Sequence, residues 1–131
     1  MIRRLIRGLG RKDHGASIVE FAIVVPVLLL LIFGIMNFGW VFHGYITLTG
    51  AAREGARLAI VGEDMSIIEG AIESHARIFG DNLDIEDIDI APEQRGETRV
   101  VVSGDLNLLV NFFPFPESIF LSATATMRQE Q

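Results

Sequence analysis

The sequence contains one apolar segment that is long enough to cross a lipid bilayer. The 25 residues from Ile18 to Phe42 include only two strongly polar side chains, Glu20 and Asn37, and residues 21–36 contain no charged or hydrogen-bonding side chain at all. A spanning helix needs about 20 mostly apolar residues. We therefore predict a transmembrane helix over residues 16–43.

Charge is distributed unevenly around this segment. Residues 1–15 carry a net charge of +4, whereas residues 16–131 carry −10. Because cations flanking a span favour the cytoplasmic side, residues 1–15 are predicted to be a basic cytoplasmic leader and residues 44–131 an extracytoplasmic domain. The acidic body argues against nucleic acid as a partner, and leaves the lipid bilayer as the partner expected for the span.

Two other kinds of N-terminal segment fit part of this pattern. A cleaved signal peptide has an apolar region of about 7–15 residues followed by small residues at its cleavage site. The present segment is longer and is followed by large residues, "NFGWVFHGYITL". A signal peptide is therefore disfavoured, while a simple single-span anchor stays open.

The chain beyond the span begins as a continued helix. Small residues recur at four-residue intervals, at Ala51, Gly55 and Ala59, until Gly62 is expected to end the helix. Rows of this kind allow two helix backbones to approach closely. The row is compatible with packing on the chain's own domain and with packing on sister helices in an assembly, and the sequence does not decide between them.

A second helix is predicted in "SIIEGAIESHARIFG". Ser66 and Glu69 have the spacing of a capping box, and Gly80 is the expected C-terminal stop. The apolar residues between them recur with helical periodicity, which predicts a buried stripe. Its members are Ile68, Ile72, Ala76 and Phe79.

Three strands are predicted after this helix. The first is Leu83–Ile90, where apolar and acidic residues alternate. The second covers residues 95–112, is rich in β-branched residues, and is predicted to have a turn near Gly96 and a bulge at Gly104. The third is "IFLSATATMRQ", which alternates cleanly between an apolar and a polar face. The acids in "LDIEDIDIA" lack the spacing of a calcium loop, which favours a solvated strand face. The predicted fold class is α+β: a long N-terminal transmembrane helix that continues into a small extracytoplasmic domain of two helices and about three antiparallel strands, as in pilins.

The sequence gives no indication of an enzyme. It has no cysteine, its serines lie in no nucleophile pattern, and His14, His43 and His75 are too far apart to suggest a metal site. We expect no catalytic residues, no metal and no cofactor.

The boundary between the leader and the apolar segment has a more specific pattern. A glycine at this junction, Gly15, offers a protease a pliable backbone without a side chain. Cleavage after Gly15 would create an amine on Ala16, one helical turn before Glu20. Pairing with an amine would offset much of the cost of placing the Glu20 carboxylate in lipid.

The stretch "GASIVEFAIVVPVLLLLIFGIMNFG…AAREGARLA" resembles the TadE-like pseudopilins of the tight-adherence (Flp) pilus system. The resemblance is strong over residues 15–62 and moderate over the last ten residues. It implies cleavage by a prepilin peptidase between Gly15 and Ala16, with Glu20 as the assembly carboxylate and Phe21 as its aromatic neighbour.

The resemblance also implies a function and a location. The chain is expected to be a minor pilin-like subunit required for pilus biogenesis, adherence or surface attachment. Its expected location is the bacterial inner membrane, as a single-pass protein with a cytoplasmic N-terminus and a periplasmic or extracellular C-terminal domain. Its expected partners are the prepilin peptidase, other pilin and pilin-like subunits and an inner-membrane assembly platform. The alternative is an unprocessed, membrane-anchored binding or sensory domain.

Overall fold

The described part of the chain folds into two α-helices followed by a three-stranded antiparallel sheet, as predicted. The computed structural model describes residues 12–93 and 96–128. The helices are α1 (Lys12–Val61) and α2 (Met65–Ala76), which a short 3-10 helix (Arg77–Asn82) follows. The strands are β1 (Leu83–Glu93), β2 (Glu97–Asn107) and β3 (Ser118–Arg128), and β2 pairs with both neighbours. The predicted α+β class is confirmed.

Helix α1 changes character along its 50 residues. The chain divides into two units, residues 1–36 and residues 37–131. In the first unit, the described helix exposes apolar side chains in all directions, and none of the residues in its most apolar 18-residue window is buried. That is the surface expected of a helix whose solvent is lipid or other apolar helices.

The core lies in the unit of residues 37–131. It joins the second part of α1, helix α2 and one face of the sheet through a set of fully or nearly fully buried apolar side chains. The largest of these are Leu48, Ile72, Leu106, Val100 and Val102. Burial of each such side chain stabilises the fold by about 1.5–3 kcal/mol.

The sheet contains a bulge between β1 and β2. Ile85 pairs with Gly104 but Asp87 pairs with Ser103, so Glu86 is the extra residue. The insertion explains why the apolar alternation in β1 changes phase midway. The sequence predicted a bulge at Gly104; the extra residue instead lies opposite it, on β1. Gly104 is needed there because a Cβ atom would lie 2.1 Å from the carbonyl oxygen of Asp84.

The predicted start of α2 is wrong. The helix begins at Met65, so Ser66 lies inside it and cannot act as its N-cap. Asp64 occupies that position, and its backbone carbonyl accepts hydrogen bonds from the N–H groups of Ile67 and Ile68 at 2.9 and 3.1 Å. The backbone carbonyl of Asp64 therefore accepts these hydrogen bonds at the start of the helix, and the Asp64 side chain forms no capping hydrogen bond.

The end of α2 also differs from the prediction, while its buried face agrees with it. The α-helix ends at Ala76, and Gly80 lies within the 3-10 helix, where its φ of 59° and ψ of −139° interrupt the helical conformation. The four residues of the predicted apolar stripe, Ile68 to Phe79, are all buried. At the end of α1, Gly62 follows the last helical residue, as predicted.

Substitution of Gly104 by alanine tests the bulge. The new methyl group would collide with the Asp84 carbonyl, so we expect the free energy of unfolding of the full chain in detergent to fall by about 1–3 kcal/mol. Denaturant titration followed by the fluorescence of Trp40, the single tryptophan, measures this change.

The matched control is Gly70→Ala. Gly70 is exposed within α2, and a Cβ there meets no atom within 4 Å. Because alanine favours the helix, this variant should be more stable by about 0.5–1 kcal/mol. Equal effects of the two substitutions would contradict the close approach at the bulge.

Candidate functional site

The predicted cleavage point lies in the first turns of α1. Gly15 and Ala16 are both exposed, and a Cβ added to Gly15 would meet no atom within 4 Å. The first N–H groups of a helix have no partner within the helix, and glycine is a poor helix former. This end of α1 is therefore the part that opens at least cost into the extended form that a protease binds.

Glu20 and Phe21 lie on the same exposed stretch of helix. Residues 16 and 20 are one turn apart, which places their side chains on the same face. Phe21 exposes 69% of its surface, so it is available to a neighbouring molecule. The structure thus brings the four residues of the predicted processing site together on one accessible helical segment. The leader upstream of Lys12 lies outside the described residues.

The row of small residues lies in the other part of α1. Ala51 is fully buried, and a Cβ on Gly55 would lie 2.6 Å from Cδ1 of Ile72 and 3.4 Å from Cγ1 of Val100. The row therefore contacts α2 and β2 of its own chain, which is one of the two arrangements that the sequence left open. Packing on sister helices would have to use another face.

The charged residues between the members of this row face solvent. Arg57 donates two hydrogen bonds to the carboxylate of Glu54, at 2.6 and 3.0 Å. These hydrogen bonds hold the pKa of Glu54 below its usual value. Exposed pairs of this kind contribute little to stability, so this face of α1 is free for other contacts.

Asn37 is a site residue that the sequence reasoning missed. Its side-chain amide donates a hydrogen bond to the carbonyl of Val110 at 2.9 Å and accepts one from the N–H of Val110 at 3.1 Å. Only 5% of Asn37 is exposed. The amide thus pairs with both backbone groups of one residue, as a neighbouring strand would, and fixes the segment after β2 to α1.

Trp40 makes a second attachment on the next turn of the helix. Its indole N–H donates to the carbonyl of Asn107 at 3.0 Å, and its ring centroid lies 4.6 Å from that of Phe79. Asn37 and Trp40 are the hydrogen-bonding side chains of the apolar segment after Glu20, and they are three residues apart. That spacing was the available signal, because it places both on one face of a helix.

No metal centre is evident in the part of the chain that the structure describes. Residues 12–93 and 96–128 contain no group of three or more metal-ligating side chains in suitable positions. The acids of β1, at Asp84, Glu86, Asp87 and Asp89, are exposed on the strand, as predicted for a solvated face.

Residues 15–57 match the family model described as TadE-like protein. This segment is similar to the TadE-like family. The resemblance predicted from the sequence is confirmed for this segment, which is about a third of the chain. The chain matches none of the curated proteins and none of the solved structures compared with it.

The limits of the TadE-like segment agree with the structural features described above. It begins at Gly15, the residue before the predicted cut, and includes Glu20 and Asn37. It ends at Arg57, within the buried helical row. The match therefore covers the exposed apolar helix and the part of α1 that packs in the core, and stops before α2 and the sheet.

The attachment of Val110 to Asn37 can be tested by Asn37→Ala. Loss of both hydrogen bonds leaves the two backbone groups of Val110 without their partner, which costs about 1–3 kcal/mol. We expect hydrogen exchange of the peptide covering residues 108–117 to accelerate markedly in the detergent-solubilised chain. The control is Asn111→Ala, at an exposed asparagine in the same segment. Unchanged exchange in Asn37→Ala would contradict the attachment.

Proposed function

We propose that the chain is a minor pilin-like subunit, a pseudopilin, of a tight-adherence (Flp) pilus assembly system, and that a prepilin peptidase cleaves it after Gly15. The observation that carries the proposal is the TadE-like match, which begins at Gly15 itself. The accessible first turn of α1 supports it, because a cut there requires no unfolding of the core. The proposed role is structural rather than enzymatic, in pilus biogenesis, adherence or surface attachment.

The proposed location is the bacterial inner membrane. One helix, Gly15–Val61, is long and apolar enough to cross a bilayer, with a mean hydropathy of 2.9 in its most apolar window. The excess of cations in residues 1–15 supports a cytoplasmic N-terminus, with the α+β domain on the periplasmic or extracellular side. The prepilin peptidase would then meet Gly15 at the inner face of the membrane.

Glu20 has a defined task in this proposal. A carboxylate within a lipid-facing helix costs several kcal/mol unless it is paired. Cleavage creates the Ala16 amine, on this subunit and on every neighbouring subunit processed in the same way. Glu20 pairs with such an amine as the subunit joins its partners, which are other pilin and pilin-like subunits at the inner-membrane assembly platform.

The exposed apolar surface of α1 supplies the remaining contact area of the assembly. Side chains such as Phe21, Leu31 and Ile35 each expose more than half of their surface. In the membrane they face lipid, and in an assembled pilus they would face neighbouring helices. The same surface therefore suits both states, while the Glu20 pair fixes the register between subunits.

Processing can be tested with Gly15→Leu. The leucine side chain would occupy the position before the cut where glycine has none, so we expect the variant to remain at its full length when it is expressed with the peptidase. The matched control is Gly39→Leu, since Gly39 is another α1 glycine whose Cβ would meet no atom within 4 Å. Gel mobility measures the result. If Gly15→Leu were shortened as efficiently as the wild-type chain, the cut would not depend on Gly15 and the proposed processing site would be wrong. A wild-type chain that stays at full length with the peptidase would favour the alternative, an unprocessed membrane-anchored binding or sensory domain.

The role of Glu20 can be tested separately with Glu20→Ala. Removal of the carboxylate makes the helix more apolar, so the level of protein in the membrane should not fall, and processing should be largely intact. Pilus formation, counted by electron microscopy, should be impaired because the amine has lost its partner. The control is Ser17→Ala, one turn earlier on the exposed helix. Normal piliation of Glu20→Ala would refute the pairing.

A further inference from the structure

The segment between β2 and β3 exposes an unusual concentration of apolar side chains. This segment, residues 108–117, is called the aromatic loop below. Residues 108–116 contain no charged side chain and include three phenylalanines. Phe113 exposes 92% of its surface, and Leu109 and Phe112 expose about half of theirs. Exposed apolar patches of this kind usually mark a contact with another molecule or with a membrane.

The aromatic loop is held in this exposed form by its own hydrogen bonds. The N–H of Leu108 donates to the carbonyl of Glu117 at 2.9 Å, which closes the base of the loop. The N–H of Phe115 donates to the carbonyl of Phe112 at 2.7 Å, and the two rings meet edge to face with their centroids 6.0 Å apart. The loop therefore presents a formed apolar tip, and its binding requires little ordering.

The attachment of the loop fixes where this tip lies along the chain's membrane helix. Val110, inside the loop, is hydrogen-bonded to Asn37, and Asn107, directly before it, is bonded to Trp40. Asn37 immediately follows the uncharged segment of residues 21–36. A tryptophan such as Trp40, three residues further on, is typical of the interface of a span, where the lipid headgroups lie.

We propose that the aromatic loop inserts Phe112 and Phe113 into the interfacial layer of the bilayer that α1 spans. The inference rests on the membrane span of the proposed function, and does not depend on cleavage after Gly15. Two facts favour lipid over a second copy of the chain as the occupant. The loop is hydrogen-bonded to α1 at Asn37, directly after residues 21–36, and residues 108–116 of the loop contain no charged side chain.

The chemistry of the loop also defines the lipid that it takes. The body of the chain is acidic, with a net charge of −10 over residues 16–131, so anionic headgroups would repel it. Insertion depends on apolar burial alone. It should therefore occur in zwitterionic phosphatidylcholine and should not depend on salt concentration.

The absence of cysteine from the sequence allows a direct test. Single-cysteine variants Phe113→Cys, Leu30→Cys and Thr126→Cys of the full chain are labelled with a polarity-sensitive fluorophore and reconstituted into phosphatidylcholine nanodiscs. Leu30 lies in the apolar segment and is half exposed, and Thr126 is exposed on β3, about 26 Å along the strand from its loop end at about 3.3 Å per residue. Quenching is measured with nitroxide-labelled lipid and with aqueous iodide.

The proposal predicts that nitroxide lipid quenches the labels at residues 30 and 113 and spares the label at 126, which iodide quenches. If iodide quenches the label at residue 113 and nitroxide lipid does not, while nitroxide lipid quenches the label at residue 30, the loop does not insert. That result would overturn the loop proposal and leave the membrane span of α1 supported. Protection of residue 113 from both quenchers would assign the loop to a second protein copy, and overturns the proposal. A label at residue 30 that lipid does not quench would overturn the span, and the loop proposal with it.

Discussion

The apolar surface of residues 21–36 is the constraint on which the rest of the structure depends. This segment has no side chain that could interact favourably with water, and its helix satisfies all of its backbone groups internally. Such a surface is stable only in lipid or against other apolar helices. The proposed function supplies both environments, since a pilin-like subunit would lie first in the membrane and then in an assembly.

Glu20 is a charged residue directly before that segment, and its position makes the proposed function specific. A charge at this place is expensive in lipid and becomes useful only when a cation is one turn away. In the proposed function, cleavage after Gly15 would create an amine at Ala16, which the intact chain lacks. That cut would convert Glu20 from a residue that opposes burial into one that selects a partner, and the TadE-like match covers both Ala16 and Glu20.

The second part of α1 uses the same helix for a different purpose. From Asn37 onward, one face of α1 is buried by its own chain, with Gly55 close to Ile72 and Val100. Asn37 and Trp40 hold the end of β2 and the aromatic loop to that helix through backbone carbonyls. The second part of α1 is therefore an element of the folded core as well as the point where the aromatic loop is attached.

Features with a local cause were predictable from the sequence, and those that depend on distant partners were not. The buried stripe of α2 and the alternation of β3 follow from periodicity alone, and both are confirmed. The predicted capping box at Ser66 is wrong because Asp64, two residues earlier, is the N-cap residue. The sequence predicts a second strand that extends to Phe112, but the strand ends at Asn107. Beyond it, Val110 forms its two hydrogen bonds with the side chain of Asn37, 73 residues away.

The candidate site shows the same division. The spacing of Gly15, Ala16 and Glu20 could be read from neighbouring residues and from a resemblance. The contacts of Asn37 could not, because a lone asparagine in an apolar segment has many structural explanations. The small-residue row was ambiguous in sequence for a related reason: its spacing predicts close packing but does not identify the partner, which here includes α2 and β2.

The proposed function requires that the functional protein begin at Ala16, and the strongest test is the intact mass of the wild-type chain purified from its native membrane. The account predicts a mature chain of residues 16–131, with an N-terminal peptide that starts at Ala16 and lacks residues 1–15. A mature chain that retains residues 1–15 would contradict the account, because Glu20 would then have no processed amine to pair with.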